Sequence, residues 1–134
     1  MRLAKIWFKG SPVVFFILVF GGAVGSMAHE WMAPADEGKR PNPVASDMKS
    51  IERGKIIYLE NCAACHGERI EGMKADETGL QMDSPNLKKR FLTHTDGDFF
   101  WKIQNGRGDM PSFKEDLTEE QTWDVINYIR CESE

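Results

Sequence analysis

Residues 46–134 predict a helical domain, and three observations carry the prediction: apolar side chains recur at spacings of three and four over 48–62, and two threonine-led capping signatures open further apolar runs at 95 and 118. In the first segment Ser46 or Asp47 can cap a helix whose apolar face is Met48, Ile51, Gly54 or Lys55, Tyr58 and Cys62, widened by Ile57. Thr95, with Asp98 at the third helical position, starts the run Phe99-Phe100-Trp101-Lys102-Ile103, which Asn105-Gly106 ends. Thr118 and Gln121 open the last helix, whose buried side is Trp123, Ile126, Ile129 and Arg130, with Val125 and Tyr128 flanking.

At 134 residues the chain is one domain with tails and a targeting segment, which excludes a two-domain enzyme. Its composition, 41% apolar and 28% charged, is that of a globular protein. Much of the apolar share lies in the uncharged stretch 13–25, so the folded core is small and needs a staple. All 21 acids and 14 of the 17 bases fall in 29–134, and a domain this acidic does not have nucleic acid as its main partner. It suits basic patches on proteins, with association weakened by salt.

Arg2, Lys5 and Lys9 precede the apolar stretch, and Ser26 and Ala28 follow it as the small residues of a cut after Ala28. Residues 1–28 therefore read as a signal peptide, favoured over a retained membrane anchor, because even 12–28 reaches only the bottom of the spanning range. Either way the basic start keeps the N-terminal end in the cytoplasm and the domain is delivered across the membrane. Residues 29–45 read as a flexible lead: 33–46 hold three of the six prolines, mixed charges and Val44 as the one large apolar residue. The domain proper is 46–134.

The strongest signal is Cys62-Ala63-Ala64-Cys65-His66-Gly67. A C-x-x-C-H run reads as a c-type haem attachment site, with Cys62 and Cys65 forming thioethers to the two vinyl groups and His66 bringing Nε2 to the iron. A Cys62–Cys65 disulfide, a thioredoxin-like redox pair and a zinc site are the competing readings. The redox pair expects a βαβ context, and zinc would have to share one tetrahedral ion between adjacent Cys65 and His66. Cys131 is left over, either a free buried thiol or one available for an intermolecular disulfide.

With these residues in view the sequence resembles the class I monohaem c-type cytochromes over roughly 46–130. The resemblance rests on Gly54 and Tyr58 standing eight and four residues before Cys62, the haem motif, Ser84-Pro85-Asn86-Leu87, Asp109-Met110-Pro111 and Asn127-Tyr128-Ile129-Arg130. It implies an all-α class I cytochrome c fold, three to five short helices wrapped around one covalently bound haem, the first and last crossing at Gly54 where Tyr128 approaches. It also implies that the Pro85 carbonyl accepts from His66 Nδ1–H; the charged insert 68–83 leaves that register open against an ordinary turn proline.

Met73, Met82, Met110 and His94 are the candidates for the sixth ligand. Met110 is favoured, because it follows the glycine-rich 105–109, precedes Pro111 and matches the family's ligand segment. Met73 and Met82 read as partial core or surface, and His94 as a loop or surface histidine or an alternative ligand. Trp101, Asn105 and Arg107 are candidates to hold the haem propionates, against plain packing or a solvated charge.

Iron closed by His66 and Met110 has no open position, which leaves electron transfer through the haem edge. The expectation is a non-catalytic electron carrier, periplasmic or on the outer face of the cytoplasmic membrane, working with redox partner proteins and with membrane association through the N-terminal segment. The alternative is a haem c relay subunit of a larger oxidoreductase complex, and a weaker one is a sensor in which Met110 detaches. The acids occur as scattered singles and pairs, and no catalytic dyad is seen.

Overall fold

The computed structural model describes residues 31–134; the signal or anchor assigned to 1–28, and the first two residues of the lead, lie outside the described residues. Seven helices follow one another in this part: α1 (Ala35–Gly38), α2 (Met48–Asn61), α3 (Ala63–His66), α4 (Ala75–Thr78), α5 (Leu87–Phe91), α6 (Asp96–Asn105) and α7 (Glu119–Ser133). Among the described residues the only β pairing is two isolated bridges, Met73 with Ser84 and Arg107 with Met110. Trp31–Glu134 forms one compact unit, and the all-α wrap expected is present, with α1 contributed by the lead and α3 and α4 single turns.

Helix α2 begins where Asp47 accepts from Ser50 N and ends at the haem motif. Its buried residues are Ser50, Gly54 and Tyr58, spaced by four, and Met48, expected on this face, is exposed. A stripe repeating every fourth residue drifts away from the first turn, and this leaves Met48 in water and brings in Ser50. Helices α6 and α7 carry the two capping boxes expected, Thr95 with Asp98 and Thr118 with Gln121.

Helix α7 is the centre of the domain. Every residue from Thr122 to Ile129 is buried, so it is a core helix with α2, α5 and α6 packed around it rather than a helix with one wet side. It crosses α2 at Gly54, as expected, but the close approach is by backbone: a Cβ at Gly54 would lie 2.0 Å from the Asp124 carbonyl oxygen. Tyr128 packs one turn further along, its ring 5.3 Å from that of Tyr58. At the crossing the buried Asp124 carboxylate accepts from Ser50 Oγ at 2.6 Å and from Arg53 Nε and Nη2 at 2.7 and 2.8 Å. Arg130 is half-buried through an ion pair with Asp96 and a guanidinium 4.9 Å from the Phe91 ring.

The flexible lead is the expectation that the described residues overturn. Residues 31–46 lie on α6 and α7, held largely by polar contacts, with Val44 packed on the core and Trp31 edge-on to Trp101. Ala33 N donates to the buried Asp98 at 3.1 Å, and Thr95 Oγ1 donates to the Gly38 carbonyl. Asn42 Nδ2 donates to Asn127 Oδ1 at 2.9 Å. Arg40 stacks 4.3 Å over Phe100, which itself stacks on Trp123 at 4.2 Å, and Arg40 pairs with Glu119. Burial raises the Asp98 pKa, but hydrogen bonds from Thr95 and Ala33 outweigh it and hold the carboxyl below its ordinary value.

Candidate haem site

The haem motif occupies a single turn. Cys62 N donates to Tyr58 O at 2.8 Å at the end of α2, and His66 N donates to Cys62 O at 2.9 Å in α3. Residues at i, i+3 and i+4 share a helix face, so Cys62, Cys65 and His66 present two thiols and an imidazole to one side. Both thiols are half-buried and unpaired. Desolvation, reinforced by Cys65, pushes the Cys62 thiol up to about 12, so it is a neutral thiol at pH 7. Among the described residues no three His, Cys, Asp or Glu side chains converge as a metal site of protein ligands requires.

His66 is held from behind. Burial lowers its pKa, and the Pro85 carbonyl acts in the opposite direction, so the ring is neutral at pH 7. Its Nδ1 is buried without a well-formed hydrogen bond; the Pro85 carbonyl faces it but lies outside good bonding geometry. Gly72 lets the returning chain come this near: its φ is 79°, and a Cβ there would lie 2.5 Å from the Ser84 oxygen and 2.7 Å from the Pro85 carbonyl carbon. The turn between them is pinned by Gly72 N to His66 O at 2.8 Å and Leu87 N to Ile70 O at 2.9 Å. Ile70 is wholly buried at φ 56°, a left-handed conformation that strains a β-branched residue and is tolerated because its neighbours fix it. Tyr58 adds a buried bond, its hydroxyl donating to Gly67 O at 2.7 Å.

Ile70 and Tyr58 Oη are the positioning groups that sequence reasoning misses. A lone isoleucine between two glycines in a charged insert is the available signal for the first. The hydroxyl has none, since the spacing shows only that the ring is buried.

Met110 is half-buried and packs against the same apolar cluster that Cys62 borders. Arg107 N donates to Met110 O and Met110 N to Arg107 O, at 2.8 and 3.1 Å, closing a tight turn. Met82 is exposed, and Met73 is tied by its bridge to Ser84. His94 is buried, contrary to the surface expectation: its Nδ1 lies 3.1 Å from Arg90 O and its ring packs edge-on to Phe99. Thr93 Oγ1 lies 2.9 Å from the same nitrogen, and the ring packs in the short connection between α5 and α6. Cys131 is exposed, which removes the buried alternative for it.

The three propionate candidates lie in one neighbourhood, linked through Trp31 and Trp101. Asn105 Nδ2 donates back to Trp101 O at 2.7 Å, and the Arg107 guanidinium stacks on Trp31 of the lead at 5.7 Å. Trp101 is half-buried with its ring edge-on to Trp31, 6.3 Å away. Trp31, which composition assigns to a flexible tether, thus joins this part of the site.

A helical wrap carrying two free thiols and a neutral, backbone-directed imidazole on one turn defines a class I monohaem c-type cytochrome. The chain belongs to the cytochrome c family whose profile is described as Cytochrome C oxidase, cbb3-type, subunit III, matched over residues 49–129. It is 34% identical over 98 residues to the Cbb3-type cytochrome c oxidase subunit CcoP of Azospirillum brasilense, a match over 66% of this chain and 30% of that protein. It is 31% identical over 88 residues to cytochrome c6 of Pyropia tenera, covering 63% of this chain and 94% of that one. The chain thus spans under a third of the length of the oxidase subunit and nearly the whole of the cytochrome c6. In fold it is similar to cytochrome CL of Methylophaga aminisulfidivorans, at a TM-score of 0.53 and 24% identity, over 63% of this chain and 56% of that one.

The residues fit the group that the family carries. The orphaned, buried His66 Nδ1 leaves Nε2 as the nitrogen for iron, and the two free thiols stand on the same turn. The protein binds one haem c and transfers electrons.

Proposed function

We propose that this chain is a monohaem electron carrier acting outside the cytoplasm, with no catalysis of its own, whose iron is held between His66 and Met110. The observation that carries the reading is the single turn holding Cys62, Cys65 and a neutral His66 whose Nδ1 is directed at Pro85. When bound, haem c supplies a one-electron Fe(III)/Fe(II) couple. The rest is done by the chain. Cys62 and Cys65 would hold the porphyrin covalently. His66 keeps its proton on Nδ1, where a stronger bond to the Pro85 carbonyl would raise the donor strength of Nε2. Met110 would supply a thioether, which favours the reduced metal and raises the potential. The pinned turns 66–72 and 107–110 give these groups little freedom to move between oxidation states, which favours fast transfer.

The test is the ferric spectrum of the haem-loaded protein. A weak far-red sulfur-to-ferric band that Met110→Ala abolishes, with a fall in potential, supports the assignment; a native protein without the band, and a variant with unchanged spectrum and potential, refutes it. A colourless product from a host competent in haem attachment refutes the haem reading itself.

A second reading, a relay subunit of a larger oxidoreductase complex, is favoured by the family description and by the CcoP similarity. Purification from membranes and from the soluble fraction, with N-terminal sequencing of the haem-stained band, separates a mobile carrier cut after Ala28 from an anchored subunit. Comparing reducing and non-reducing gels tests whether Cys131 links the chain to a partner.

A further inference from the structure

The turn that carries Met110 behaves as one piece. Its two mutual backbone hydrogen bonds join Arg107 and Met110 across Gly108-Asp109, and Gly106 and Gly108 hold φ of 63° and 58°. Whatever holds Arg107 therefore holds Met110. The Arg107 guanidinium carbon lies 5.7 Å from the centroid of the Trp31 ring, within the roughly 6 Å over which a cation is attracted to an aromatic face. Trp31 is itself fixed to the domain. Its ring meets Trp101 edge-on at 6.3 Å and lies 5.7 Å from Lys102 Nζ. Two residues further on, Ala33 N is bonded to the buried Asp98. From the insert side, Gln81 N donates to Asp109 Oδ2 at 2.9 Å, so the turn is gripped at both neighbours of Gly108.

We propose that Trp31 is a positioning residue for the Met110 turn, clamping it through Arg107, so that the segment ahead of the domain governs how readily the sixth ligand is released. The inference rests on the reading of Met110 as that ligand. Release of the sulfur requires the turn to lift, and lifting separates Arg107 from Trp31. A cation–π contact at an exposed site is worth a factor of roughly two to five in such an equilibrium. An outside ligand that binds only the lifted form gains affinity by the same factor, because its apparent affinity scales with the competent fraction.

The experiment uses the full haem-loaded chain and free imidazole as the probe of the ferric protein. Trp31→Ala is expected to bind imidazole roughly two- to fivefold more tightly than the native protein, and Trp31→Phe, which keeps an aromatic face, to stay within about twofold. Arg107→Gln is expected to match Trp31→Ala, and the double variant to add nothing further, since both remove one contact. Hydrogen exchange at 106–111 should rise in Trp31→Ala while α2 and α7 keep native protection.

Unchanged imidazole affinity and unchanged exchange in Trp31→Ala overturn the proposal. So does an additive double variant, or a loss of protection in α2 and α7 equal to that in the turn, which would make Trp31 a general stabiliser. Met110→Ala separates the two readings. If it binds imidazole no better than native, the ligand assignment falls, and the exchange arm still decides whether Trp31 holds the turn. If it binds far better while Trp31→Ala is silent in both arms, the clamp alone falls.

Discussion

Replacing Gly54 by alanine tests the crossing on which the haem motif is mounted. The added Cβ would sit 2.0 Å from the Asp124 carbonyl oxygen and 2.5 Å from its carbon, and a helix backbone cannot rotate aside as a side chain can. Reaching even a tight 3.0 Å contact requires α2 and α7 to separate by about 1 Å. That movement stretches the Ser50 Oγ–Asp124 bond from 2.6 Å to about 3.6 Å, beyond hydrogen-bond range, at a carboxylate that is 1% exposed. A lost bond to a buried charge costs about 1.5–3 kcal/mol, and overpacking about 1–3 kcal/mol. Alanine's better helix propensity returns about 1 kcal/mol, so the net loss is about 1.5–5 kcal/mol. The assay is guanidinium unfolding of the haem-loaded protein, read as a lower midpoint at unchanged slope. A variant within about 0.5 kcal/mol of native, or more stable, would refute the backbone contact.

Three further expectations follow from the same contacts. Tyr58→Phe keeps the ring and removes the bond to Gly67 O, which retains a second donor in Ile70 N at 3.2 Å, so the loss of stability is about 1 kcal/mol and a native unfolding midpoint speaks against the bond. Deleting residues 31–46 uncovers Phe100 and Trp123 and removes the Asn42–Asn127 bond, at a cost of about 2 kcal/mol or more; a truncated chain that melts with the native one would show that the lead contributes nothing. The Asp98 carboxyl, with its folded pKa below the ordinary 3.8, stabilises the lead fully above that value and ceases to do so as the pH falls through the lower folded one. Exchange protection of the Ala33 amide, corrected for intrinsic rates, is therefore expected to drop between about pH 5 and about pH 2, and equal protection at both would contradict the Ala33–Asp98 tie.

The amino-acid sequence by itself determines the chemistry that is local in the chain. Cys62, Cys65 and His66 share one turn because helical spacing makes them share it, and the capping boxes at Thr95 and Thr118 are bonds between residues three apart. Gly54 is assigned to the crossing by resemblance, although which atoms meet it there depends on how α7 lies across α2.

Tertiary structure decides everything that depends on residues far apart in sequence. Asp124 reads as one more surface acid until Ser50 and Arg53 are folded against it. The lead has the composition of a tether, yet it is ordered by partners some 60 to 85 residues away, Asp98 and Asn127 among them. His94 reads as a surface residue until α5 and α6 close over it. Composition measures how much apolar surface a segment can bury by itself; it does not register the donors and acceptors that a distant helix will offer. That is why the haem motif is legible from residues 62–67 alone, while the clamp from Trp31 to Arg107 is not.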